Sequence, residues 1–413
     1  MSDTTPVPAS QLGMRRQNLA LVLRLVATHT PISRATVAAR SGLTRAAVSS
    51  LVDELITTGL VREGPATTSG RAGRPGRILA MNDRGPAGLG IEVGVGHLAV
   101  CVVDLRGDIR VSRRVEVANA RREPTSTLTA LARLTDEACA EAATLDLRPL
   151  PPVLAVPGLL ADRSGTVVHA PNLGWHNVPT TQLWPGTAPA KVDNEANLGA
   201  MAELWTGHAA TDFLHVSAEM GIGAALVVDG HLHTGSRGYA GELGHVPIHP
   251  EGPPCTCGAH GCLEQYASQD AVLRAAELTE RALDADPITL LTERAAAGDT
   301  VTLQAIRRAG DALGIALVTA ISLVDPAAVV LGGAYAELAP WLLPHIRNQI
   351  RSRLTVRPFD TEAITASALG RGGPVLGAAL TGIQRILAAP GTFDAEQPPG
   401  RQSTFCGSEP PVE

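Results

Sequence analysis

In the stretch GHVPIHPEGPPCTCGAHGCLEQ, residues 244–265, three of the chain's six cysteines fall within eight positions. They are Cys255, Cys257 and Cys262, and His245 stands ten residues before the first of them. Three thiolates and one imidazole are the donor set of a closed tetrahedral zinc site. Such a site is structural, because no coordination position remains for water or substrate. Pro253-Pro254, Gly258 and Gly261 let the backbone fold tightly about an ion. His249 and His260 are also close in sequence, so spacing alone leaves the imidazole donor open among three histidines. A disulfide is the competing use of such thiols. A Cys-x-Cys bridge is strained, however, and the N-terminal MSDTTPVPASQLGMRRQ has no apolar core of a secretory signal. The expected setting is therefore a reducing cytoplasm, where clustered cysteines point to metal, here Zn²⁺. The other cysteines, Cys101, Cys139 and Cys406, are scattered.

The elements that must carry this loop belong to a 413-residue chain, 45% hydrophobic and 18% charged. At ~100–200 residues per domain, it has room for two or three domains. Aromatic residues make up only 3%, which argues against stacking platforms for single-stranded nucleic acid. No apolar run approaches the ~20 residues that span a bilayer. The net charge of −6 divides unevenly: residues 1–85 hold eleven arginines, no lysine and five acidic residues, a surplus of +6, while the remaining 23 basic and 35 acidic residues leave −12. A basic head on an acidic body points to a polyanion partner for the head.

In the head, Leu19, Val22, Leu23 and Val26 recur at helical spacing. A second helix is expected after Ser33 and a third after Thr44, both good N-caps, with Ser41-Gly42 as the turn between them. This is a helix-turn-helix pattern. Its second helix opens with small polar residues suited to a major groove. Thr44, Arg45, Ser49 and Ser50 are the candidate contacts to phosphates and base edges. Beyond it, Leu60-Val61 and Ile78-Leu79 flank a loop rich in Gly, Ser and Thr, which reads as the hairpin of a winged helix. Arg71, Arg74 and Arg77 at its tip suit a narrow minor groove.

From Gly88 the texture is α/β. GLGIEVGVGHLAVCVVDL reads as two strands, Leu89–Val93 and Leu98–Val103, about a glycine turn, and DFLHVSAEMGIGAALVV repeats the unit. Between the repeats, AKVDNEANLGAMAELWTG reads as a strand, a polar turn and a helix. Two lobes of similar design with a cleft between them are expected.

GELGHVPIHPEGPPCTCGAHGCLEQYAS, with its Glu-x-Gly-His and Cys-x-Cys-Gly-x-x-Gly-Cys-x-Glu, resembles the signature of the repressor, open reading frame, kinase (ROK) family. The resemblance covers about residues 14–390, and an N-terminal winged helix marks the family's repressor branch. It implies a two-lobed, actin-like (ribonuclease H-like) sugar-kinase fold with a structural zinc loop near the sugar pocket. It also implies a homodimer or homotetramer. The family's zinc ligands fall on His245, Cys255, Cys257 and Cys262, and its sugar contacts on Asn194, Glu195, Glu242, His245 and Glu264. Asn172 and Trp175 of PNLGW are candidates for the pocket rim. The expected organisation is a flexible N-terminus over 1–13, the winged helix over 14–84, the sugar-binding domain over 85–390 and a disordered tail over 391–413.

The same resemblance sets a test for kinase activity. Active members show Asp-x-Gly-Gly-Thr at the first glycine turn. Here Glu92, Val95 and Gly96 stand at the Asp, second Gly and Thr positions. The catalytic base, an Asp after the Asn, is replaced by Glu195. A base misplaced by about 1 Å can lose ~100-fold in rate. The expectation is a non-enzymatic, monosaccharide-responsive repressor that binds a two-fold operator, an inverted repeat in double-stranded DNA. An ATP-dependent sugar kinase and a zinc-stabilised DNA-binding protein without a small ligand are the alternatives.

Overall fold

In the computed structural model, residues 11–67, 76–161, 164–207, 209–279 and 286–392 are described. The head is built by its caps. α1 (Gln11–Thr28) buries Leu19, Val22, Leu23 and Val26, the face marked by their spacing. The short β1 (Ile32–Ser33) leads into α2 (Arg34–Ser41), where the Ser33 side chain accepts from the Thr36 amide. Gly42 closes α2 at φ 72°, a left-handed conformation that favours glycine. α3 (Arg45–Thr57) begins at Thr44, whose hydroxyl accepts from the Ala47 amide. β2 (Val61–Thr67) and β3 (Gly76–Met81) pair antiparallel and β1 joins β3, so the wing is present. Arg34 ties these parts together. It donates to Glu63 Oε1 at 2.8 Å and to the Ser49 carbonyl at 3.2 Å, and pairs with Asp53 at 2.7 Å.

The first lobe follows. Its sheet holds β4 (Gly85–Val93), β5 (His97–Asp104), β6 (Ile109–Glu116), β7 (Leu147–Pro149) and β8 (Val153–Val156), with α4 (Pro124–Thr144) crossing between β6 and β7. A small sheet of β9 (Leu159–Leu160), β10 (Thr166–Ala170) and β11 (Trp175–Pro179), then α5 (Thr180–Leu183), precedes its last strand, β12 (Lys191–Asn194). α6 (Glu195–Thr206) starts directly at the end of β12 with Asn194 as cap, so the expected polar turn is the cap itself.

The second lobe holds β13 (Phe213–Ala218), β14 (Ile222–Val228) and β15 (His231–His233). The cysteine loop comes next, then α7 (Glu264–Ala267), α8 (Gln269–Ala275), α9 (Pro287–Ala296), α10 (Thr300–Val324), β16 (Ala328–Gly333), α11 (Ala334–Arg353), β17 (Ile364–Ala366) and α12 (Gly373–Ala388). The two main sheets share one topology: β6-β5-β4-β8-β12 in the first lobe and β15-β14-β13-β16-β17 in the second. In each, three antiparallel strands are followed by two strands parallel to the first. The repeated strand–turn–strand unit is the start of each lobe.

α12 belongs to the second lobe in sequence but lies on β4 and α6 of the first. The approach is backbone to backbone. A methyl group at Gly90 would fall 2.0 Å from the Val375 carbonyl oxygen, and one at Gly377 would fall 1.8 Å from that of Leu198. The far end of α12 and the turn after it carry α1, with Gly391 against Arg16 and Leu19. Head and body therefore share one apolar core, running from Leu19, Val22 and Leu23 to Leu376, Ala379 and Ile383. Polar contacts reinforce the junction: Arg106 reaches the Met81 carbonyl at 3.3 Å and Asp83 at 2.9 Å, and Arg110 reaches the Asp83 carbonyl at 2.9 Å.

Overpacking a tight core typically costs about 1–3 kcal/mol. Gly90→Ala should thus unfold at distinctly lower urea than the wild type, whereas Gly96→Ala, with nothing within 4 Å of the added methyl, should unfold within experimental error of it. Equal midpoints for both variants would contradict the described packing of α12.

Candidate metal centre and ligand cleft

The cysteine loop is held by its own backbone before any ion is considered. Cys255 N–H donates to the Ala259 carbonyl at 2.8 Å, Ile248 N–H to that of Gly261 at 2.8 Å, and Leu263 N–H to that of Val246 at 2.9 Å. Gly261 sits at φ 67°, and a methyl group there would fall 1.6 Å from the His249 carbonyl oxygen, so only glycine fits. The loop brings His245, Cys255, Cys257 and Cys262 together, with one donor atom from each lying within 4.8 Å of the others. Cys257 Sγ is 3.7 Å from Cys262 Sγ, and Cys255 Sγ is 3.8 Å from His245 Nδ1. Zn–S bonds of about 2.3 Å at tetrahedral angles place sulfurs about 3.8 Å apart. The set therefore fits a tetrahedral zinc ion and is too open for a disulfide. The other two histidines are elsewhere: His249 packs edge-on against Tyr266, ring centroids 5.4 Å apart, and His260 is exposed in a bridge opposite Pro254. Zinc bound here would supply rigidity to the loop.

His245 joins the metal centre to the cleft. Nδ1 faces the thiol group, while Nε2 stands 3.8 Å from Glu242 Oε2. Glu264, the first residue of α7, places Oε1 at 3.8 Å from His245 Nδ1 and 2.9 Å from Cys255 Sγ. Its Oε2 and the Nδ2 of Asn172 both lie over Gly221, at 3.7 and 3.2 Å from where a methyl group would stand. Glu242, His245, Glu264 and Asn172 thus line one wall. Trp175 does not join them. It is 2% exposed in the core of the first lobe, because β11 turns it inward.

Asn194 and Glu195 stand at the C-terminal edge of the first lobe's parallel strands, where open α/β sheets hold ligands. Asn194 caps α6: Oδ1 accepts from the Ala196 amide at 2.8 Å and Nδ2 donates to the Gly158 carbonyl at 3.0 Å. One hydrogen and one lone pair remain on this amide for a ligand. Burial raises the Glu195 carboxyl well above its usual range, and the charges of Glu219 and Glu92 push the same way. Burial likewise raises Glu219.

His97 and Glu219 escaped the sequence reading. Written side by side, the two repeats read EVGVG at 92–96 and EMGIG at 219–223. Each places a glutamate at the end of its lobe's first strand, and His97 stands between the two. Its Nε2 is 3.3 Å from Glu92 Oε1 and its Nδ1 is 4.0 Å from Glu219 Oε2. Burial would lower the His97 pKa, but the two carboxylates outweigh it and raise it.

On the head, Thr44, Arg45 and Ser50 are exposed along the start of α3, although the Thr44 hydroxyl is engaged as cap. Ser49 is half-buried, its carbonyl held by Arg34. Arg77 is exposed on β3 and pairs with Glu63 at 3.2 Å. Arg71 and Arg74 lie outside the described residues. No described helix is long and apolar enough to cross a membrane.

A winged head on two lobes of ribonuclease H-like topology, with a cysteine-rich loop at the cleft, defines a class of DNA-binding proteins built on a sugar-kinase body. The ROK family model matches residues 88–385, and a MarR family model matches residues 12–72. The chain belongs to the ROK family. It is 30% identical to the xylose repressor of Bacillus spizizenii over 387 residues, covering 92% of this chain and 98% of that one. Among solved structures, a ROK family transcriptional regulator, a homologue of the Escherichia coli MLC protein, superposes with a TM-score of 0.71 at 26% identity, covering 91% of this chain and 97% of that one. A ROK family glucokinase from Streptomyces griseus, in complex with glucose and AMPPNP, superposes with a TM-score of 0.59 at 26% identity over 72% of this chain and 99% of that one.

The geometry distinguishes the histidines. His245→Ala and Cys257→Ser should each lose the zinc that a thiol-directed mercurial releases from the wild type, while His249→Ala should keep it. Zinc retained in His245→Ala would assign the fourth ligand elsewhere.

Proposed function

We propose that this chain is a monosaccharide-responsive transcriptional repressor. Its winged head binds an operator, and sugar in the cleft releases it. The observation that carries this reading is the continuity from cleft to head. α6 begins at Asn194 and Glu195 in the cleft, lies along α12 at backbone contact, and α12 carries α1 of the head. A ligand that engages the start of α6 and the zinc-ordered wall together favours one arrangement of the lobes. DNA affinity then shifts by the ligand's differential affinity for the two arrangements.

The proposed sugar contacts are Asn194, Glu195, Glu242, His245 and Glu264, whose amide and carboxylates suit vicinal hydroxyls, with Zn²⁺ on His245, Cys255, Cys257 and Cys262. Nδ1 on the metal would fix the ring and leave the Nε2 edge for a hydroxyl. Thr44, Arg45, Ser49 and Ser50 are the proposed contacts to the major groove, and Arg71, Arg74 and Arg77 those to the minor groove. A homodimer would present two heads to an inverted repeat, with half-sites a whole number of helical turns apart. The similarity to xylose repressors puts xylose first among candidate effectors, and a cytoplasmic location accords with that role.

The residues weigh against phosphoryl transfer. That reaction needs a cradle of positive or N–H character for phosphates. Here the first glycine turn presents Glu92 with Glu219 opposite, Val95 and Gly96 replace the small and hydroxyl residues of active relatives, and Glu195 replaces the base.

Selection of genomic fragments by the purified protein, with and without a monosaccharide panel, tests the reading. A discrete inverted repeat should be enriched, one sugar should abolish the enrichment, and Glu195→Gln should keep the enrichment but ignore the sugar. ATP should not be consumed with any of the sugars. Enrichment insensitive to every sugar, or ATP turnover with one of them, would overturn it.

A further inference from the structure

We propose that Glu92, His97 and Glu219 form a second metal site, which takes a divalent transition-metal cation and bridges the two lobes. The carboxylate oxygens and a ring nitrogen of these residues all lie within 4.8 Å of one another. Glu92 and His97 come from the first lobe and Glu219 from the second.

Two features separate this group from an ordinary cluster of acids. First, it contains buried donor atoms with nothing to bind. Glu92 and His97 are each 1% exposed, and neither Glu92 Oε2 nor His97 Nε2 has a hydrogen-bond partner among the described residues. The Glu92–His97 approach of 3.3 Å makes no aligned hydrogen bond. Buried polar atoms are nearly always satisfied, and a cation held between Glu92 and His97 would satisfy both. Second, the donors are held in place. Asn119, fully buried, donates through Nδ2 to the carbonyls of Gly94 and His97, 2.9 Å each, and Gly94 N–H closes the turn onto the His97 carbonyl at 3.0 Å. The imidazole lies directly on Gly94, where a methyl group would fall 2.0 Å from Cε1. Val95 and Gly96, which spoil a phosphate cradle, are the residues that turn the chain so that His97 reaches inward.

The charge balance points the same way. Glu92, Glu195 and Glu219 feel one another through a buried floor. The nearby arginines act on Glu219 only at a distance, since their ion pairs are with other acids: Arg114 with Glu116, and Arg371 with Asp286 and Glu337. In its neutral form the His97 imidazole, between Glu92 and Glu219, offers a nitrogen lone pair to a cation. The donor set sets the class of ion. One imidazole and two carboxylates suit Mn²⁺, Fe²⁺ or Zn²⁺ better than Mg²⁺ or Ca²⁺, which take oxygen ligands. The absence of thiolate from this group separates it from the cysteine centre, which selects zinc.

Mn²⁺ is the probe, because zinc fills the cysteine centre and no third group of three metal-binding side chains stands among the described residues. The full chain, loaded with one zinc, is titrated with Mn²⁺ and followed by electron paramagnetic resonance. We expect saturable binding of one Mn²⁺ per chain and ¹⁴N modulation in the spin-echo envelope. His97→Gln should remove the nitrogen signal, and His97→Gln and Glu219→Gln should each weaken binding at least ~10-fold, in line with the loss of ligand or supporting groups at metal sites. Zinc content and thermal unfolding of each variant show whether it is folded. If neither variant folds, Glu92→Gln is the further variant, and the same loss of affinity is expected of it. No saturable binding, binding without nitrogen, or undiminished affinity in both folded variants would overturn the proposal.

Discussion

Backbone contact along α12 is the constraint on which the rest of this structure depends. The helix is buried along almost its whole length and has no room for a side chain where Gly90 meets Val375 or where Gly377 meets Leu198. Contacts of this kind are bistable and do not deform smoothly, because packed interiors have little slack. A rotation of α6 at the cleft must therefore move α12 or break the contact, and α12 carries the head. The acidic body and the basic head thus share one packed core, despite their opposite charge and different fold class.

The cleft is shaped by two different means. On one wall, strand ends and a helix cap position Asn194 and Glu195, using the ordinary geometry of parallel sheets. On the other, a loop with little regular structure positions His245, Glu242 and Glu264. Loops of that kind hold functional groups well only when something fixes them. Here four donors converge at the spacing of a tetrahedral ion, and one of them, His245, turns its second nitrogen toward the cleft. In the proposed site, metal and ligand would share a single imidazole.

Local features were legible in the sequence because their physics is local. Ser33 and Thr44 act as caps, Gly42 ends a helix, and the cysteine spacing marks the metal loop, each within a few residues of its partners. The strand–turn–strand repeat even foretold two lobes of one topology. What was missed is long-range. Nothing in the sequence marks Arg34, yet it clamps α2 to α3 and β2. Trp175 looked like a pocket residue until β11 turned it into the core. Glu219 is unmarked in the sequence, and Glu92 is marked only as a departure from a phosphate-binding turn. Their meeting across the cleft follows from the shared topology of two sheets, and His97 acquires its role only from that meeting. Spacing alone leaves the imidazole donor open among three histidines; the family resemblance points to His245, and the fold of the loop brings that one to the thiols.

If cleft and head are energetically coupled, the coupling in binding is reciprocal. The most direct measurement is a pair of titrations: operator duplex binding with and without the effector sugar, and sugar binding with and without the duplex. Each ligand should weaken the other by the same factor, in the range of ~5–150-fold typical of such coupling. Sugar affinity that is identical in the presence and absence of saturating operator would contradict it.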